Sequence, residues 1–132
     1  MAHVISFTSS AFDTTNERPN PINPIAGQGV LAWIRSQLPA KTYEATEPET
    51  EDWGWYMIVA AGTSSYLVGA SGRPDKPDAE VEWVVQIHAE RNLIDKLLGR
   101  RRLSPDDQLL SLIENLLRKD PRIKNIRVGK DA

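Results

Sequence analysis

The stretch from Asp52 to Ala70 constrains this chain most. Two β-prone, aromatic-containing runs flank a short Gly62-Thr63-Ser64 turn, the composition expected where strands reverse. In the first run Trp53, Trp55, Met57 and Val59 alternate with Gly54, Tyr56, Ile58 and Ala60. Successive side chains of a strand point to opposite faces, so each set is assigned one face. Both sets are largely apolar, as in a central strand covered at least partly on each side. A third run, residues 81–90, sets Val81, Trp83, Val85, Ile87 and Ala89 against Glu82, Val84, Gln86, His88 and Glu90. It therefore has one buried and one mostly wet face. This periodicity places Trp55, Met57, Val59 and Trp83 together on one sheet face under a helix.

The other elements are read from the same patterns. Residues 3–9 alternate Ile5 and Phe7 with Ser6 and Thr8, predicting a short strand at an edge or paired with the hairpin. A helix is predicted from within residues 25–29 to Leu38, stopped by Pro39, with Val30, Leu31, Trp33, Ile34 and Leu38 as its stripe. Residues 41–52, rich in Glu and Asp, read as a solvated loop. Residues 91–98 predict a short helix ended by Gly99. The last helix opens with Ser104 as N-cap, Pro105 at the first helical position and Asp106 and Asp107 at the positive end of the dipole. Its stripe is Leu109, Leu112, Ile113, Leu116 and Leu117. Residues 123–128 read as an edge strand or a loose tail after about residue 122. Consecutive strands favour antiparallel pairing. The expected class is thus α+β: a single domain over residues 1–132, a two-layer sandwich with two or three helices packed on a mainly antiparallel sheet of three to five strands.

With 132 residues, 40% of them hydrophobic and 26% charged, the chain has the composition and size of one globular domain. The absence of cysteine excludes disulfides, thiolate metal sites and a cysteine nucleophile. No apolar run approaches the roughly 18–20 residues that span a bilayer. The first residues show no basic region leading into an apolar one, so export is not expected and a cytoplasmic location is. The net charge of −2 hides an asymmetry. Residues 1–90 carry five basic and twelve acidic side chains (net −7), and residues 91–132 carry eleven and six (net +5). Such segregation marks surfaces for oppositely charged partners, or two halves that neutralise each other within the fold; the latter is the plainer reading.

Two segments carry a resemblance. Asn20-Pro21-Ile22-Asn23-Pro24-Ile25-Ala26-Gly27 and Asp52-Trp53-Gly54-Trp55-Tyr56 resemble the NPxNP and DWGW segments of small bacterial proteins of unknown function. The resemblance implies a bacterial context and carries over no catalytic residue.

The chain has no strong catalytic signature. His88 shares its strand face with Gln86 and Glu90, and a histidine beside carboxylates can transfer protons. A lone histidine on a wet strand face is more often an ordinary surface residue. Neither HxH nor HExxH spacing is present, so no zinc site is expected. The acidic run at residues 44–52 lacks the order of a calcium loop, and no Gly-x-Ser-x-Gly turn occurs. Gly27-Gln28-Gly29 at a helix start can present N–H groups to an anion. It lacks the rest of a phosphate-binding loop, and close helix packing explains the glycines equally well. Arg100, Arg101 and Arg102 form a basic triplet, but residues 91–132 contain no aromatic side chain to stack a base. Nucleic acid therefore ranks behind protein as a partner.

Of the four tryptophans, Trp33, Trp55 and Trp83 read as core. Trp53, beside Glu51 and Asp52, is the one expected at the surface, where an aromatic rimmed by carboxylates suits a binding patch. The favoured function is a non-enzymatic protein-interaction module with Glu51, Asp52 and Trp53 on its binding surface, for example an immunity or regulatory factor. The alternative is a small-molecule or anion-binding enzyme domain with a site between the Asn20–Gly29 segment and the start of the hairpin, using Asn20, Asn23 and His88. No cofactor, metal or membrane is expected in either case, and oligomeric state is left open.

Overall fold

The computed structural model describes residues 3–12, 17, 21, 25–62, 64–73, 80–90 and 108–130. The elements run β1 (His3–Ser9), α1 (Gln28–Gln37), β2 (Glu44–Ala45), β3 (Glu49–Glu51), β4 (Gly54–Ala61), β5 (Ser64–Gly72), β6 (Val81–Glu90), α2 (Gln108–Lys119) and β7 (Lys124–Lys130). The expected α+β class is observed. The sheet, however, has seven strands, in the order β2-β4-β5-β6-β1-β7 with β3 also on β4, and not three to five. Every pairing is antiparallel.

Three differences account for the strand count and order. The acidic segment expected as a loop supplies β2 and β3, which pair consecutively along β4. Strands of two and three residues are too short to show a period of two. The segment expected as an edge strand or a tail is β7, hydrogen-bonded along β1. Its Lys and Arg side chains suit an edge strand. β1 is itself interior, flanked by β6 and β7. The predicted helix at residues 91–98, the Ser104 cap and the Arg100–Arg102 triplet lie outside the described residues.

The central hairpin forms as predicted, with Ala61 opposite Ser64 and the turn beginning at Gly62. Gly62 has φ 62°, a left-handed conformation that glycine adopts without a steric cost. The alternation along β4 and β6 also holds. Trp55, Met57, Val59, Trp83, Val85 and Ile87 are all fully buried. The register aligns Trp55, Ala70, Val85 and Ile5 in one row across four strands, and Met57, Val68, Ile87 and His3 in the next. Onto this face pack Val30, Leu31 and Ile34 of α1 and Leu109, Leu110, Ile113 and Leu117 of α2, all in one core cluster. Trp33 is only half-buried, seated edge-on against Phe12 at 5.9 Å; Phe12 in turn meets Trp83, also at 5.9 Å.

Both buried indole N–H groups are satisfied, as buried donors require. Trp55 Nε1–H donates to the Ile25 carbonyl at 3.1 Å and Trp83 Nε1–H to the Ser9 carbonyl at 3.4 Å. The opposite sheet face carries half-buried side chains: Tyr56, Ile58, Leu67, Val84, Gln86, His88, Val4 and Ser6. Both described helices lie on the core side, so among the described residues no helix lies on this second face, termed the open face. Among the described residues no helix is long and apolar enough to cross a membrane.

Candidate functional site

The site grows from the β3–β4 hairpin. Glu51 pairs with Gly54, leaving Asp52 and Trp53 as a two-residue turn. Gly54 has φ 150°, a backbone state that L-residues rarely adopt, and a β-carbon there would lie 2.6 Å from the Ala70 carbonyl oxygen. This turn breaks the alternation predicted to put Trp53 on the face of Trp55. Trp55 enters the core, while the Trp53 ring lies on the open face over Gly69 of β5. A β-carbon at position 69 would stand 2.6 Å from Cζ3 of that ring and closer still to Cη2. The glycine in mid-strand is thus the seat of an aromatic ring, the close approach that an isolated strand glycine signals.

Beside Trp53 the sheet surface opens into a groove of about 470 Å³ lined by Ile25, Asp52, Trp53, Ser71, Gly72, Arg73, Glu82 and Val84. Ile25 and Val84 supply apolar walls. Asp52, Arg73 and Glu82 are exposed at the surface, giving two carboxylates and one guanidinium. Asp52 is held at the turn, where its N–H donates to Glu51 Oε1 at 3.1 Å. Val84 is predicted by alternation to face this side of the sheet. Ile25 falls within the Asn20–Gly29 segment expected beside the start of the hairpin, no sequence pattern marks Arg73 or Glu82 as part of a site, and the mid-strand Gly69 carries a local signal.

The acidic edge continues beyond the groove. Glu44, Glu47 and Glu49 are exposed along β2 and β3. Arg35 of α1 reaches this edge, donating to the Ala45 carbonyl and to Glu47 Oε1, both at 3.1 Å. A second cavity of about 490 Å³ lies there, between α1 and β2, with Arg35, Tyr43, Glu44 and Glu47 in its lining. At the far edge Lys124 pairs with Glu80 at 2.7 Å and Arg127 approaches Glu82 at 3.8 Å. The charge asymmetry along the chain therefore becomes an asymmetry across the sheet, acidic at β2 and β3 and basic at β7. The two halves meet through these exposed pairs at β6 and β7.

The structure brings Glu51, Asp52 and Trp53 together and leaves His88 apart. His88 is half-buried on the open face opposite Leu67, with Nε2 3.3 Å from Gln86 Oε1. Four residues along β6 separate it from Val84, about 13 Å at strand rise. Asn20 and Asn23 lie outside the described residues. The glycines at the start of α1 already have an acceptor: Glu17 takes the Gly27 N–H at 3.1 Å and the Gly29 N–H at 2.9 Å. Gly27 also packs against Ala70 and Trp55, on the core side of the sheet and away from His88. Among the described residues no group of three or more His, Asp or Glu side chains is placed to hold a metal ion.

No protein-family model, curated protein or solved structure matches the chain at a significant level.

Proposed function

We propose that this chain is a non-enzymatic protein-interaction module that docks a basic partner on the open face and acidic edge of its sheet, around Trp53. The observation that carries the reading is the seating of Trp53. A large aromatic sets the edge of its six-membered ring against a glycine of the neighbouring strand, outside the core, next to Asp52 and Glu82 and continuous with Glu49 and Glu51. Aromatic anchors in partly apolar grooves contribute most of the energy at many interfaces. A surrounding field of one sign speeds encounter with a partner of the other. A neutralising factor for a basic toxin or enzyme is one specific form of this function. The lack of cysteine suits a cytoplasmic setting, and the NPxNP and DWGW resemblance suits a bacterial one.

The test is capture from bacterial lysate on the immobilised chain, comparing the wild type with Trp53→Ala, Glu51→Lys and Gln37→Ala. Gln37 is exposed on α1, in the opposite layer. One protein retained by the wild type and Gln37→Ala but lost with Trp53→Ala and Glu51→Lys is the expected result. Equal recovery with all four removes this surface from consideration.

A further inference from the structure

We infer that the partner on the open face is a second copy of this chain, packed sheet to sheet about a two-fold axis along the strands, an inference that rests on the protein-docking reading above. Residues directly opposite one another in adjacent strands share a face, so the register places the charges. Glu44 and Glu49 lie opposite Ala60 and Tyr56 of β4, and Lys124 and Arg127 lie opposite Thr8 and Ser6 of β1. All four therefore belong to the open face, the carboxylates at the β2 and β3 edge and the cations at β7. Between them lie Val4, Tyr56, Ile58, Leu67 and Val84, each only half-buried. The face is thus apolar in the middle, acidic at one edge and basic at the other.

The strand order makes such a face self-complementary. From the acidic edge to β7 the midpoint of the sheet falls between β5 and β6. A two-fold axis there, parallel to the strands, lays β5 on β6 of the second copy, β4 on its β1 and the acidic edge on its β7. An axis across the strands would lay acid on acid, which like-charge repulsion disfavours. Glu49 shares a row with Gly129; Arg127 is one row on, about 7 Å along the strand and within reach of two long side chains. Arg127 approaches Glu82 of its own chain only at 3.8 Å, with 75% and 65% of the two side chains exposed. A surface pair of that kind is weak enough to yield to Glu49 of the second copy. Arg73 and Glu82 line one groove beside the axis, so the two-fold sets each against the other's counterpart. Trp53, over Gly69 of β5, also lies next to the axis, where interfaces concentrate their aromatic anchors. Central strands of eight to ten residues give the face a flat footprint of about 24 by 27 Å, or about 650 Å². With side-chain relief that approaches the roughly 800 Å² per partner of a stable interface.

The experiment is sedimentation velocity of the full chain over about 2–500 μM, in about 0.05 M and 0.5 M salt. The wild type is expected to pass from monomer to dimer within this range, and at lower concentration in low salt. Arg127→Glu and Glu49→Arg should each weaken dimerisation at least about tenfold, because each sets like charges across the interface. The double variant restores opposite charges and should return to within about threefold of the wild type, a recovery that misfolding cannot produce. A monomer at every concentration, a dimer unmoved by the single changes, or a double variant as weak as the singles overturns the inference. A chain that stays monomeric yet captures another protein through Trp53 would refute the second copy as partner and leave the docking surface standing. Loss of both would refute both.

Discussion

Trp53, in the turn between β3 and β4, and Gly69 of β5 are a matched pair. The ring of the first occupies the space that any side chain at the second would need, with Cζ3 2.6 Å from where a β-carbon would stand. Gly69→Ala therefore ejects the indole from its seat without touching the core. Gly69→Ala is expected to abolish partner capture as fully as Trp53→Ala does. Global stability should change by less than about 1 kcal/mol, since both residues lie outside the buried face. Capture that survives Gly69→Ala would show that the seated orientation of the ring has no part in binding.

Trp55 is the opposite case. It is fully buried, and its Nε1–H donates to Ile25. Trp55→Ala leaves a cavity and an unpaired carbonyl, and the loss of a large buried aromatic costs about 3–5 kcal/mol. His88→Ala, on the open face, should stay within about 0.5 kcal/mol. Urea denaturation of both variants checks this. Similar small effects for the two would place Trp55 outside the core.

Glu17 caps α1 from ten and twelve residues away, accepting from Gly27 and Gly29. The N-cap residue, Gly27, has no side chain to do so itself. Glu17→Ala should destabilise the fold by about 1–2 kcal/mol, the usual scale for a lost cap together with its charge at the helix dipole. Glu17→Gln should cost less, because it keeps an acceptor oxygen. Hydrogen exchange at the Gly29 amide provides the local readout, and an unchanged rate in Glu17→Ala would rule out the cap.

Asp120 joins α2 to β7. Its carboxylate accepts from Arg122 Nε at 3.0 Å, Nη2 at 2.7 Å and the Arg122 backbone N–H at 2.9 Å. The side-chain hydrogen bond from Arg122 is the main cause holding this carboxyl below its ordinary value of 3.8; burial opposes the shift, and the backbone bond and the charge of Arg122 add to it. A depressed folded-state pKa stabilises the fold above the unfolded value, and this contribution is lost as pH falls through the folded one. Asp120→Asn should therefore lower stability modestly at neutral pH, with the gap to wild type closing as pH drops below 3.8. A gap that widens in acid would contradict the assignment.

The site itself was only partly legible. Glu51, Asp52 and Trp53 could be grouped because they are neighbours in the chain and differ sharply from the apolar strand beyond them. Arg73 and Glu82 could not be joined to them, since the end of β5 and the start of β6 come alongside only once register is set. The glycines at the start of α1 suggested an anion site, and the acceptor that meets them is Glu17, which no local pattern links to a helix ten residues later.

What the sequence by itself determined is the facing of its longer elements. Alternation along β4 and β6 and the 3.6-residue spacing of α1 and α2 assign Trp55, Met57, Val59, Trp83, Ile34 and Ile113 to the core, because backbone geometry within one element dictates where each side chain points. Tertiary structure alone decided the pairing of elements far apart in the chain. It set β1 between β6 and β7, laid the short acidic strands along β4 and closed the β7 edge. It also turned Trp53 away from the face its spacing implied, because Gly54 takes a positive φ at a two-residue turn. Such choices depend on hydrogen bonds between partners that only a folded chain brings together. Periodicity within a single strand carries no record of them.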